Sequence, residues 1–137
     1  MMSLTNAAVG AFAGEFIDSP PLAFLAGILL HLIADKIPHL WPKKTADQKT
    51  LIITDLVLSS LFILGLIFWF PASHHWSVVA GALGGVSVDF FFVILLQQQG
   101  KWAEWHTNRQ PHKSELILLW TDVVLFCISM FALWMFR

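Results

Sequence analysis

The sequence predicts an all-α integral membrane protein: a bundle of four transmembrane helices preceded by one short helix, in a single domain spanning 1–137. Three observations carry that reading. Hydrophobic residues make up 57% of the chain and charged residues only 12%, against roughly 25% charged in a soluble domain. Four apolar windows, 20–41, 51–70, 76–96 and 116–136, are each long enough to cross a ~30 Å hydrocarbon core as a helix. Twelve Phe and seven Trp without a single Tyr suit a bilayer better than a soluble core.

The elements follow in chain order. Segment 4–17 is rich in Ala and Gly, but its length reaches only ~21 Å as a helix. It reads as a short helix packed against the bundle or entering the membrane part-way. Ala7, Ala11 and Gly14 lie at helical spacing there, which admits another backbone closely. Pro20 and Pro21 suit the first turn of the next helix, with Asp18 or Ser19 as its cap. No Lys or Arg precedes Lys36, so the charged start of a signal peptide is missing and the segment is expected to be retained. Cys127 lies in an apolar run and reads as an inert buried thiol.

Loop charge sets the orientation. The loop after the first span carries Lys43, Lys44 and Lys49, and loop segment 98–113 carries Lys101, Arg109 and Lys113. The loop between the second and third spans, Pro71-Ala-Ser-His74-His75, has neither Lys nor Arg. The positive-inside rule places both basic loops in the cytoplasm. A net charge of −1, with the few cations confined to short loops, gives no basis for nucleic-acid binding.

Parts of the chain match one another. Ala26-Gly27 precedes Asp35 by the same interval as Ala80-Gly81 precedes Asp89. Thr54-Asp55 and Thr121-Asp122 then stand near the starts of the following spans, within octapeptides that align without a gap. The matches read either as two repeated hairpins of like orientation or as chance in apolar sequence. If the repeat is real, Asp35, Asp55, Asp89 and Asp122 face a common centre.

Those carboxylates are the chemistry to explain. An ionised carboxylate in a bilayer costs at least ~2.5 kcal/mol and is a functional-site hypothesis by default. Here four Asp converge on one depth, with His31 and His39 beside them. In His31-Leu-Ile-Ala-Asp35-Lys-Ile-Pro-His39 the four-residue steps put all three polar side chains on one helical face. His31 and His39 lie ~12 Å apart along a straight helix, too far to share one ion easily, so Asp35 is the pivotal ligand. The alternative is a set of buried hydrogen bonds that join helices. A second cluster, His106 to His112 with Arg109 between, reads either as further ligands or as a polar interfacial loop anchored by Trp102 and Trp105. Gly81, Gly84 and Gly85 read as close helix packing.

The segment Ala26-Gly-Ile-Leu-Leu-His31-Leu-Ile-Ala-Asp35 resembles the Gly-x-x-x-His-x-x-x-Asp helix of small prokaryotic inner-membrane proteins classed as metal-dependent hydrolases. The wider His31-x-x-x-Asp35-x-x-Pro38-His39 run is similar to bacterial membrane proteins with a later Gly-rich helix ending in Asp and then a His-rich segment. Gly81 to Asp89 and His106 to His112 fill those places here. The likeness covers about twenty residues in motif. Where the hydrolases carry Leu-Pro-Asp-x-Asp this chain has Ser87-Val88-Asp89, and the order of the motif regions is reversed.

The resemblance implies a multi-pass protein of the prokaryotic inner membrane. It implies a divalent ion (zinc, manganese or iron) held by Asp35 and Asp89 with His31, His39, His106 or His112. Glu15 or Asp122 would serve as general base on a lipid or lipid-linked substrate at the cytoplasmic leaflet. Membrane lipids are the expected partners, with a homo-oligomer left open. The rival readings are a cation or proton transporter, a scaffold with buried polar contacts, and a bis-His haem protein.

Overall fold

The computed structural model describes residues 2–37, 45–70, 74–96 and 115–136, apart from the side chains of 45–49, 69, 92–96 and 115–118. Every regular element among these residues is an α-helix, with no strand. The helices are α1 (Ser3–Glu15), α2 (Pro20–Ala34), α3 (Thr45–Trp69), α4 (His75–Leu96) and α5 (Glu115–Phe136). Over Thr50–Phe68 and Leu119–Phe136 the described chain is long and apolar enough to cross a membrane.

Two expectations change. In the first predicted span, 20–41, the helix runs to Ala34 and Asp35 closes it in a turn with Lys36 and Ile37; residues 38–41 lie outside the described residues. The 15 residues of α2 reach ~22 Å, short of the ~20 residues that cross a bilayer without tilt or thinning. Ser19 occupies the N-cap position of α2 with the two prolines behind it, but its side chain makes no capping bond. Proline has no N–H to offer, so one of the donors such a cap would serve is missing.

The short first helix is the centre of the bundle, with all four other helices packed around it. Its sequence explains how. Ala7, Ala8 and Ala11 are fully buried, and Gly10 and Gly14 lie directly on α4. A Cβ on Gly10 would collide with the carbonyl of Gly81, and one on Gly81 with the carbonyl of Gly10. Gly14 meets Ser77 and Gly85 meets Asn6 in the same way, so α1 and α4 run antiparallel in backbone contact. Gly27 of α2 meets Gly81 and Gly85 as well, so α1 and α2 share the glycine face of α4. Small residues facing one another let the backbones approach this closely.

Helices α3 and α5 flank α1 and run parallel to it. Asp55 of α3 and Asp122 of α5 stand beside its N-terminus, while Phe136 at the far end of α5 packs on Phe12 and Phe16. Leu133, Ile63 and Leu66 complete the apolar core against Ala11, Val78 and Ala82. Outward-facing positions are apolar too, Leu25, Leu29, Leu61, Phe68, Ile128 and Phe131 among them.

Candidate functional site

A helix leaves its first N–H groups without partners, and at an apolar depth each costs several kcal/mol unless an acceptor is supplied. The N-terminus of α1 is such an end. Around it stand the four aspartates, one from each neighbouring helix, at or just past the helical residues.

Asp55 of α3 accepts from two successive amides, Ser3 N–H on Oδ2 at 2.6 Å and Leu4 N–H on Oδ1 at 3.1 Å. Asp122 of α5 accepts from Met2 N–H on Oδ1 at 3.1 Å, and its backbone carbonyl accepts from the Thr5 hydroxyl at 3.3 Å. Asp89 of α4 accepts from the Ser3 hydroxyl on Oδ2 at 2.5 Å. The partial positive charge of a helix N-terminus, about half an elementary charge, favours these anions there. The common centre expected for the carboxylates exists, and the start of α1 fills it.

A second group adjoins the first. His31 is almost fully buried on α2, and its Nδ1 donates to the carbonyl of Gly85 at 2.7 Å. A carbonyl only accepts, so Nδ1 carries a proton and Nε2 faces the carboxylates. Nε2 lies 3.3 Å from Asp35 Oδ2 and 3.7 Å from Asp89 Oδ1. Neither approach has hydrogen-bond geometry, which leaves Nε2 a buried atom without a hydrogen-bond partner. The imidazole is oriented from behind by a backbone carbonyl, the arrangement that fixes the tautomer of a metal-ligating histidine. Asp89 links the two groups, one oxygen toward Ser3 and the other toward His31.

Nε2 and the two carboxylates need a positive charge between them, either a proton or a metal ion. Ligands ~2.0–2.2 Å from a tetrahedral ion stand roughly 3.3–3.6 Å from one another, and the two approaches to Nε2 lie at or close to that spacing. Among the described residues, however, no group of three His, Cys, Asp or Glu is placed to hold a metal ion. Asp35 and Asp89 are still partly exposed, at 22% and 30% of their side-chain surface.

The other expected site residues part company here. His39, His106 and His112 lie outside the described residues. Asp122 is in the layer, but as the acceptor for Met2 rather than beside His31. Glu15 closes the opposite end of α1, ~18 Å along the helix from Ser3, so it is not brought to Asp35. It is buried, and its Oε2 has no hydrogen-bond partner. His74 also belongs to that far end, 3.0 Å from Asp18. Cys127, expected to be buried, is exposed on α5.

Ser3 is the residue that sequence reading passed over. Four aspartates at one depth and a short helix beginning among polar residues were the available signal, because a helix start in an apolar layer requires acceptors. Comparison of the chain with known protein families, with characterised proteins and with solved structures returned no match.

Proposed function

We propose that the chain is a multi-pass inner-membrane protein that acts as a metal-dependent hydrolase on a lipid or lipid-linked substrate at the cytoplasmic leaflet. The observation that carries this reading is the buried Nε2 of His31 set between the carboxylates of Asp35 and Asp89, 3.3 and 3.7 Å away. Capping of α1 accounts for Asp55 and Asp122, while His31 and Asp35 stand together as a pair beside Asp89. His31, Asp35 and Asp89 would hold the ion, and Ser3 and Gly85 would orient two of these ligands. A divalent ion at this place supplies Lewis-acid chemistry toward an ester oxygen and acidifies water. The chain's own residues bind and orient, and the apolar surroundings exclude bulk water.

The outward apolar residues of α2, Leu22, Leu25, Leu29, Leu32 and Ile33, support counting that short helix as a membrane element alongside α3, α4 and α5. Loop charge supports placing the start of α1, and the carboxylate layer with it, on the cytoplasmic side.

Elemental analysis of detergent-purified protein tests the reading, together with hydrolysis of phosphate- and acyl-ester lipids with and without chelator. Stoichiometric metal that is lost in His31→Ala, with chelator-sensitive turnover, is the expected result. A folded wild type without metal or turnover would favour a scaffold. That second reading rests on the α1 caps, in which Asp55 and Asp122 serve only to hold a helix start in place.

A further inference from the structure

The outward surface of α2 is shorter than that of α3. Its exposed apolar side chains run from Leu22 through Leu25, Leu29 and Leu32 to Ile33, ~17 Å along the helix axis. The apolar stretch of α3, Thr50–Phe68, has 19 residues and reaches ~28 Å. Charged residues close the α2 surface at both ends. At one end Asp18, its side chain 90% exposed, pairs with His74. At the other the Asp35 carboxylate is partly exposed and Lys36 is exposed. The flexible Lys36 stem can reach outward to polar surroundings, but the Asp35 side chain is short and lies against His31.

Nor is α2 free to adjust its depth. Gly27 lies against the backbone of Gly81 and Gly85, and His31 Nδ1 donates to the Gly85 carbonyl, so sliding along α4 would break both contacts. Tilt only shortens the reach of a helix that is already too short. The bilayer must yield instead, because a hydrocarbon core of ~30 Å exceeds the α2 surface by roughly 10 Å. Resting on the reading of the chain as a membrane-spanning bundle, we propose that the α2 face seats a locally thinned bilayer, with short-chain phospholipid as its preferred neighbour. The thinning brings lipid head groups and their water down to Asp35 and Asp89, a group that would otherwise lie under hydrocarbon.

The test uses the full chain with Cys127→Ser, reconstituted in dioleoylphosphatidylcholine, with one nitroxide on Leu32→Cys or on Leu58→Cys. Leu32 lies three residues before Asp35 and Leu58 three after Asp55, on the same side of the carboxylate layer, and both are exposed. Oxygen reports contact with hydrocarbon, and a nickel chelate reports contact with water. The Leu32 label is expected to meet the nickel chelate at least about threefold more than the Leu58 label does. Dimyristoleoylphosphatidylcholine, a thinner bilayer, should remove most of that difference, and Lys36→Leu should reduce it in the dioleoyl lipid. Unlabelled wild type should unfold at a higher temperature in the shorter lipid, a readout free of any substitution. A maximum in dioleoyl or longer chains would overturn the proposal. Equal nickel access at two oxygen-rich labels would overturn it too, and would leave the membrane-spanning reading standing. A Leu32 label shielded from both relaxants would assign the face to a protein partner instead of lipid. Water contact without oxygen contact at both labels would overturn the spanning reading and the proposal together.

Discussion

His31 Nδ1 donates to the carbonyl of Gly85 at 2.7 Å, and in the alignment that pairs Gly27 with Gly81 and Asp35 with Asp89 these two residues are the same position. The equivalent glycines Gly27 and Gly81 are likewise in contact. Helices α2 and α4 therefore meet at matching positions, as two copies of one hairpin would across an axis. The absent side chain at Gly85 gives the imidazole of its counterpart a backbone carbonyl. Asp35 and Asp89 then flank that imidazole, while Asp55 and Asp122 both serve α1. Asp89 does both, since it also accepts from the Ser3 hydroxyl.

Gly85→Ala should loosen α1. The new Cβ would meet the carbonyl of Asn6, which is backbone and cannot swing aside. Overpacking of this kind costs roughly 1–3 kcal/mol. Gly65→Ala, with nothing within 4 Å of the new Cβ, is the control and should be neutral or slightly stabilising. Thermal unfolding in detergent, with amide exchange at Ser3–Asn6, reads both. Equal behaviour of the two variants would contradict the close approach.

Asp55→Ala should destabilise the fold. The Asp55 side chain accepts the successive amides of Ser3 and Leu4 at the start of α1. Hydrogen bonds to charged acceptors are worth about 1.5–3 kcal/mol each. Asp55→Asn keeps one acceptor oxygen and should fall between wild type and Asp55→Ala. Unfolding in mixed micelles gives the order, and a reversed order would show that the caps do not set it.

Ser3→Ala should weaken metal binding without removing it. The hydroxyl holds Asp89 from behind, and loss of such an outer partner typically costs ~10–100-fold in metal affinity. Glu15→Ala should leave metal affinity unchanged, since Glu15 stands at the other end of α1. Competition with a chromogenic chelator measures both. A loss in Glu15→Ala equal to that in Ser3→Ala would mean general destabilisation instead.

Asp35→Ala and Asp89→Ala should each cost most of the hydrolytic activity, and the double variant should be little worse than either. Groups that act as one unit are non-additive in this way. Independent, multiplying losses would place the two carboxylates in separate roles.

The basic loops should be cytoplasmic. After Cys127→Ser removes the exposed native thiol, a cysteine at Lys44 should label only from the cytoplasmic side and one at Ser73 only from outside. Labelling of Lys44→Cys from outside would invert the proposed orientation.

The sequence by itself determined the helices, their rough extents and the shared depth of the four aspartates. Hydrophobic runs and their polar interruptions are local, and depth along a helix follows directly from position in the run. The packing role of Ala7, Ala11, Gly14 and the glycines of α4 was legible for the same reason, since small residues at helical spacing have few other uses in a bilayer. Only the tertiary structure decided that the shortest helix is the central one, and that two aspartates serve its start while two others flank His31. Those outcomes depend on which faces meet, such as Gly85 on Asn6 and Ser3 on Asp89, across long separations in the chain. The end of α2 at Ala34, by contrast, has a local cause: Asp35 and Lys36 interrupt the apolar run, and Pro38 disfavours a helical residue before it.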